Sequence, residues 1–259
     1  QLEDLIGRLN KDIKVMTKLQ HALVPTEYPN IDGFEFSSKF VPSPVSGGDY
    51  IDIFEHENKF RFGIVLSSAS GYGMSALLLS AFLNLTGQME ARRGGQPDTM
   101  ATMIADDVLE AAEEGDRASL FYSFVDKRKF ELHYTLLGDI NAFVWESKTN
   151  QLKSLAATGP SIELSMERKF SKQQVGLNPR DRLILCSPGI VQSKNLSEEP
   201  FGLQRLLRVL RDTTNKTVHE MRNEVLFQLE QFTQGVEAKS DRSIVIAEVQ
   251  ERVLKLAKS

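Results

Sequence analysis

The fold is decided by the stretch Phe62-Gly63-Ile64-Val65-Leu66-Ser67-Ser68-Ala69-Ser70-Gly71-Tyr72-Gly73. An apolar run of strand type passes here through small polar residues into a glycine-containing turn, and an apolar run of helix type follows over residues 76–85. A buried strand that leads into a helix through a small-residue loop is typical of domains in which helices cover the faces of β-sheets. The stretch therefore predicts a layered domain of strands and helices.

Four other segments share the character of this stretch, since each joins turn residues to an apolar run. They are Gly47-Gly48-Asp49-Tyr50-Ile51-Asp52, Arg117-Ala118-Ser119-Leu120-Phe121-Tyr122, Asn178-Pro179-Arg180-Asp181-Arg182-Leu183 and Glu199-Pro200-Phe201-Gly202-Leu203-Gln204-Arg205-Leu206. In this order and spacing the segments resemble the SpoIIE/RsbU branch of the metal-dependent protein phosphatase 2C-like family. The resemblance extends from about Leu19 to Val249. The first glycine of the family's D-V-S-G-H-G pattern is kept as Gly71.

The resemblance implies an α/β architecture (an α+β layered sandwich) with two central, mostly antiparallel β-sheets flanked by helix pairs. The residue patterns agree with this architecture. They predict strands over 34–41, 50–57, 59–67, 119–125, 130–136, 141–146, 152–157, 182–186 and 243–249, and helices over 74–92, 97–114, 201–212 and 218–233.

The chain departs from the family at the metal-ligand positions. Members of the family hold two Mg²⁺ or Mn²⁺ ions with acidic side chains, and the resemblance places one such carboxylate at Asp49. The other ligand aspartates are replaced by Ser68, Pro188 and Ser240, and only the less critical second acid of the last motif remains, as Asp241. These residues define a degenerate metal site.

The substitutions remove the anionic oxygens on which a hard divalent cation depends. A two-metal centre needs several carboxylates, and serine hydroxyls and proline cannot replace them. The sequence therefore predicts no functional catalytic residues and no metal cofactor. One alternative is a rearranged single-ion site that uses Asp49, Asp52, Asp139 and Asp241, where Asp139 belongs to the segment that replaces the family's A-G-H.

Two functional interpretations follow from the resemblance. The first is a catalytically inactive phosphatase-fold regulatory domain, a pseudophosphatase, that binds a protein partner in bacterial-type signal transduction. The second is an active Mn²⁺- or Mg²⁺-dependent phosphoserine/phosphothreonine phosphatase that acts on an anti-sigma-factor antagonist of the STAS type. The partner implied by the family is a STAS-domain protein or another phosphoregulated protein in a partner-switching pathway.

Composition and charge exclude several other classes. The 259 residues are 41% hydrophobic and 25% charged, with a formal net charge of -4, so no basic surface for nucleic acid is expected. The single cysteine, Cys186, excludes an internal disulfide, is predicted to be a core residue, and is consistent with a reducing cytoplasm. No apolar run is long enough for a membrane helix. The glycine and histidine spacings match neither a nucleotide-binding loop nor a zinc site.

The first residues carry a heptad pattern. The predicted stripe consists of Leu2, Ile6, Leu9, Ile13, Met16 and Leu23. Such a stripe indicates a dimeric coiled coil, although an amphipathic helix that packs on its own domain has a similar pattern. We expect a coiled-coil or linker helix over 1–25, a phosphatase-like domain over 26–250 and a tail over 251–259. In the family such a helix connects to an upstream sensory domain, so the chain is expected to be part of a longer protein.

Overall fold

The strands form two antiparallel sheets of five in a computed structural model that describes residues 29–44, 48–71, 94–167 and 169–250, together with positions 75, 78 and 81. The strands are β1 (Phe34–Val41), β2 (Tyr50–Glu55), β3 (Arg61–Ala69), β4 (Ala118–Asp126), β5 (Glu131–Leu137), β6 (Asn141–Glu146), β7 (Gln151–Ser154), β8 (Gln173–Gly176), β9 (Arg182–Cys186) and β10 (Arg242–Val249). Sheet A has the order β1-β10-β9-β6-β7, and sheet B has the order β2-β3-β4-β5-β8.

Helices cover the outer faces of both sheets. They are α1 (Pro97–Leu109), α2 (Pro188–Gln192), α3 (Gly202–Asp212) and α4 (Val218–Thr233). The helix α1 and the helical positions Leu78 and Ala81 pack on sheet B, whereas α3 and α4 pack on sheet A. The predicted layered architecture is confirmed.

The main core lies between the two sheets. Apolar side chains alternate along the strands, so Ile51, Ile53 and Ile64 of sheet B meet Val245 and Ala247 of sheet A in one buried cluster. The intervening side chains of the central strands face the helices instead, which explains why strands such as β4 and β9 are buried on both faces. Cys186 is buried in the layer between sheet A and its helices, as predicted.

The observed elements differ from the predicted ones by more than two residues at four places. Strand β7 ends at Ser154 rather than at Ala157. The helix α1 ends at Leu109 rather than near Glu114. The residues that follow form a separate turn, in which the Asp116 side chain accepts a hydrogen bond from the Glu113 amide. Strand β8 was not predicted, because its mostly exposed residues have no alternating pattern and it exists only by pairing with β5. The short helix α2, which begins at Pro188, was not predicted either.

Several predicted features lie outside the described residues. These are the heptad stripe of residues 1–25, the tail at 251–259 and most of the helix predicted over 74–92. Within the described part of the chain, none of the helices combines the length and the apolar character needed to cross a lipid bilayer.

Candidate functional site: a serine-lined cleft at the strand ends

The ends of four strands meet at one edge of the sandwich and form the candidate site. Asp49 directly precedes β2, Ser68 lies near the end of β3, Ser187 follows β9, and Asp241 precedes β10. The backbones approach closely here: a Cβ on Gly48 would lie 2.8 Å from the Ala69 carbonyl oxygen. Glycine is required at such a contact because any side chain would separate the two strand ends.

The carboxylate of Asp241 is bound by the backbone of the loop that precedes β2. It accepts hydrogen bonds from the amides of Ser43 at 2.7 Å, Gly48 at 2.8 Å and Asp49 at 3.2 Å. The residue is buried, so these bonds satisfy a charge that would otherwise be unpaired. Asp241 therefore joins the start of sheet B to the start of β10.

The carboxyl group of Asp49 is buried in the same region. Burial raises its pKa to about 7; hydrogen bonding from the Ser187 and Ser68 hydroxyls opposes the rise, and the nearby charge of Asp241 adds to it. The Oδ2 atom of Asp49 has no hydrogen-bond partner among the described residues. The hydroxyl of Ser243 also has none there, and Ser243 has the smallest effect on the pKa of Asp49. An acid in this environment exists partly in its neutral form near neutral pH.

The three positions at which the sequence resemblance predicts a lost ligand aspartate line one cavity. Ser68, Pro188 and Ser240 face a space of about 170 Å³. Pro188 begins α2, and the carbonyl oxygen of Asp241 lies so close to Gly189 that a Cβ there would meet it at 1.9 Å. The structure thus brings together residues that are far apart in the sequence.

The cavity also contains residues that the sequence did not identify as site residues. Arg117 and Ser119 line it, and Arg117 forms an ion pair with Asp139 at 3.3 Å across the opening. Ser119 accepts a hydrogen bond from the Asp139 amide at 3.0 Å. Both residues belong to the segment Arg117 to Tyr122, which carries part of the family resemblance. The sequence offered no chemical reason to assign their side chains to the site. Gly71 accepts a hydrogen bond from the Ser75 amide and does not line the cavity.

The two antiparallel sheets, their outer helices and a cleft at the strand ends define a protein phosphatase 2C-like domain. The family model described as Stage II sporulation protein E (SpoIIE) matches residues 58–250. The chain therefore belongs to the SpoIIE family.

The chain is similar to several bacterial proteins of known sequence or structure. Phosphoserine phosphatase RsbP of Bacillus subtilis is 20% identical over 92% of the chain and 58% of its own length. The SiaA-PP2C domain of Pseudomonas aeruginosa superimposes with a TM-score of 0.77 at 16% identity, over 94% of this chain and 98% of that one. The RsbU and RsbW domains of Rv1364c from Mycobacterium tuberculosis give a TM-score of 0.71 at 12% identity, over 88% and 63%. The chain spans 37% to 58% of the length of the curated relatives it matches.

The donor atoms of the cleft do not match a two-metal centre. Among the described residues that line the cavity, the only carboxylate is that of Asp139, which is already paired with Arg117. Asp49 is enclosed behind the cavity, and Asp241 is occupied by three backbone amides. Within the described ranges no group of three or more histidine, cysteine or acidic side chains is placed to hold a metal ion. Two divalent cations need more negative charge than these residues offer.

Proposed function

We propose that this chain is a pseudophosphatase domain of a bacterial-type signalling protein, which binds a protein partner and does not hydrolyse phosphoserine or phosphothreonine. The observation that carries the proposal is the state of the two acids that remain. Asp241 holds the loop before β2 through three amide hydrogen bonds, and Asp49 is enclosed beneath serine hydroxyls. Both carboxyl groups are therefore buried and hydrogen-bonded within the fold. Mg²⁺ and Mn²⁺ require accessible carboxylate oxygens that carry negative charge.

The rearranged single-ion site is also disfavoured by these contacts. Asp139 is committed to Arg117, and Asp52 is next to the Tyr50 hydroxyl at 3.4 Å. To gather Asp49, Asp139 and Asp241 around one ion, the ion would have to compete with an arginine and with three backbone amides. The exposed pair of Arg117 and Asp139 contributes little to this competition. The three amide hydrogen bonds to the buried carboxylate of Asp241 are the contacts that favour the state without a metal.

Calorimetric titration with Mn²⁺ tests the proposal. We expect no stoichiometric heat at micromolar Mn²⁺ and no hydrolysis of p-nitrophenyl phosphate or a phosphoserine peptide above the buffer rate. A matched variant, Ser68→Asp with Pro188→Asp and Ser240→Asp, places three carboxylates in the same cavity and is expected to gain Mn²⁺ binding. A stoichiometric heat or Mn²⁺-dependent hydrolysis with the unmodified chain would contradict the proposal.

The alternative function is an active Mn²⁺- or Mg²⁺-dependent phosphatase that acts on a STAS-type anti-sigma-factor antagonist. The similarity to phosphoserine phosphatase RsbP and the retained Asp49 are the observations in its favour. If hydrolysis is observed, Asp49→Asn distinguishes the two functions. An authentic activity at this site would be lost in that variant, whereas a contaminating phosphatase would be unaffected.

The partner and assembly belong to the same proposal. We infer a phosphoregulated protein partner, with a STAS-domain protein as the leading candidate, and a homodimer formed by the stripe of Leu2, Ile6, Leu9, Ile13, Met16 and Leu23. An upstream sensory domain in the same protein would act through that helix. A reducing cytoplasm is the compartment we propose, since the one cysteine of the chain is buried and unpaired.

A further inference from the structure

A groove lies between α3 and α4 on the helix-covered face of sheet A, and we call it the α3–α4 groove. It has a volume of about 350 Å³, roughly twice that of the serine-lined cleft. It shares no lining residue with that cleft, so it is a separate surface. Its two walls come from Arg205, Arg208 and Val209 of α3 and from Gln228, Gln231 and Phe232 of α4.

The floor of the groove is apolar. Phe201, the residue before α3, and Phe232 meet there edge to face, with ring centroids 5.5 Å apart. Phe201 is buried, whereas Val209 and Phe232 are only partly buried and pack at the border of the core between sheet A and its helices. Apolar atoms that remain in contact with water inside a concave surface favour a ligand that covers them with an apolar group of its own.

One wall of the groove is held in place by Arg205. Its guanidinium donates a hydrogen bond to the Glu199 carboxylate at 2.6 Å. It also donates to the carbonyl oxygens of Pro200 at 3.2 Å and Phe201 at 3.1 Å. The same group lies over the ring of Phe232, 4.6 Å from the ring centroid. The charge of Arg205 is therefore satisfied, and these contacts fix the shape of the groove before any ligand binds.

The guanidinium of Arg208 has no such contacts. The side chain is exposed and lines the groove, and no described residue forms a hydrogen bond, an ion pair or a ring contact with its guanidinium. Asp212 lies four residues further along α3, at a spacing that permits an ion pair, yet the two side chains do not form one. The guanidinium is thus accessible to an acceptor that a ligand brings into the groove.

The charges around the groove leave one positive charge. The acids before α3 and on the facing turns of α4 each have a cation: Glu199 has Arg205 at 2.6 Å, Glu224 has Lys216 at 2.9 Å, and Glu230 is attracted to Arg242. On α3, Arg208, Arg211 and Asp212 remain. A single carboxylate balances this set, so the groove matches a ligand with one acidic group beside an apolar one.

We propose that the α3–α4 groove binds a segment of a partner protein that carries a glutamate or aspartate next to a large apolar residue. The apolar side chain covers Val209 and Phe232, and the carboxylate accepts hydrogen bonds from the guanidinium of Arg208. The inference rests on the proposed function only in that the chain binds a protein partner. It is independent of the absence of catalysis, because none of the family's metal-ligand positions lines the groove.

Nuclear magnetic resonance titration of the chain with a short peptide in EDTA tests the groove. The probe is acetyl-Ser-Glu-Phe-Gly-Ser-amide, and two matched peptides carry glutamine in place of glutamate or alanine in place of phenylalanine. We expect the probe to shift the amide resonances of Arg208, Val209 and Gln231. The glutamine peptide should bind about fivefold more weakly, because it cannot form the ion pair. The alanine peptide should cause no shift, because it leaves the apolar floor uncovered.

Two arginine variants separate direct contact from net charge. Arg208→Gln should weaken binding of the probe about fivefold and leave binding of the glutamine peptide nearly unchanged. Arg211→Gln removes the same charge from an exposed position of the same helix that does not line the groove, and should weaken binding by less than about twofold. Both positions are exposed, so neither change disturbs the core.

Three outcomes would overturn the proposal. They are the absence of shifts at Arg208, Val209 and Gln231 up to millimolar probe, equal affinity for the probe and either matched peptide, and equal losses in the two arginine variants. Because the titration is run in EDTA, its result does not depend on a metal ion. Mn²⁺-dependent hydrolysis by the unmodified chain would reject the proposed function and leave binding at the groove in place.

Discussion

At the scale of single residues, the dominant feature is a pair of carboxyl groups that face different surroundings at one site. Asp241 receives three amide hydrogen bonds, whereas Asp49 has a buried oxygen without a partner. The difference follows from position, since Asp241 points into the amides of the loop before β2 and Asp49 points into the layer of serine hydroxyls. Burial without sufficient hydrogen bonding favours the neutral form of an acid, and this is the state toward which Asp49 is shifted.

The first prediction concerns the pH dependence of folding. The pKa of Asp49 is about 7 in the folded protein and 3.8 for an unperturbed aspartate, so between these values the folded state binds a proton that the unfolded state lacks. Stability therefore falls as pH rises through this window, by a few kcal/mol at about 1.4 kcal/mol per pKa unit. Asp49→Asn should abolish this loss and raise stability at pH 8. Urea unfolding in EDTA at several pH values measures the free energy of unfolding of the unmodified chain and of the variant. Identical pH profiles for the two would refute the assignment of the pH dependence to Asp49.

A second residue-scale prediction has the opposite sign. His56 is buried between Phe54 and Phe124, neither ring nitrogen has a hydrogen-bond partner among the described residues, and burial lowers its pKa to about 4, with a smaller effect from Arg61. Stability is therefore lost as pH falls from 6.5 toward 4, because only the unfolded chain takes up the proton. In the variant His56→Phe, the thermal midpoint should change less with pH over this range. An unchanged acid slope in that variant would mean that another group is responsible.

At the scale of elements, the last helix has a complete capping motif at its N-terminus. The Thr217 hydroxyl accepts a hydrogen bond from the Glu220 amide, and the Glu220 carboxylate accepts one from the Thr217 amide, which together form a capping box. The helix α4 packs on β1 and β10 and covers the outer face of sheet A. Its start is therefore fixed locally, and its position is fixed by the core.

The third prediction tests the capping box. Thr217→Ala removes the side-chain acceptor at the N-terminus of α4 and should lower the free energy of unfolding by about 1 kcal/mol. Thr214→Ala is a matched control, because that hydroxyl bonds the Arg211 carbonyl and caps no helix start. Its expected effect is within about 0.5 kcal/mol. Equal losses in urea unfolding would show that the capping box contributes nothing specific.

At the scale of the whole molecule, the buried apolar side chains form three clusters, one between the two sheets and one between each sheet and its helices. In an active member of the family, clustered carboxylates repel one another when the metals are removed. Here the described cavity contains one carboxylate that is paired with an arginine. The fourth prediction is that thermal midpoints with and without EDTA agree within error. A clear decrease on chelation, measured by circular dichroism, would reveal a bound ion.

The fifth prediction concerns the dimer. Each large apolar side chain of the heptad stripe that becomes buried contributes on the order of 1.5 to 3 kcal/mol before ordering costs, which is sufficient in sum for a dimer. Leu9→Asp with Met16→Asp should produce a folded monomer, as measured by light scattering and circular dichroism. Asn10→Asp with Thr17→Asp adds the same charges outside the stripe and should leave the dimer intact. A monomeric unmodified chain at tens of micromolar would instead support packing of the helix on its own domain.

Much of the fold was predictable because its signals are local. Strands β6 and β9 and helix α4 have the predicted limits, since alternation, periodicity and terminal turn residues lie within each segment. Ser68, Pro188 and Ser240 stand within motifs that are otherwise kept, and their assignment as substituted ligand positions stays a prediction. Strand β8 was not predictable, because its residues carry no pattern and only the edge of β5 makes them a strand.

The surroundings of the site residues were decided by the tertiary structure. The amides that hold Asp241 are 192 to 198 residues away in the sequence, so no local pattern indicates that this acid is occupied. The raised pKa of Asp49 likewise arises from burial by distant elements, as does the enclosure of the Arg242 Nε atom, which has no hydrogen-bond partner among the described residues. Propensity depends on neighbours along the chain, whereas burial and electrostatics depend on neighbours in space. The sequence by itself thus determined which side chains are present at the strand ends, and only the folded packing decided which of their charges and hydrogen bonds are satisfied.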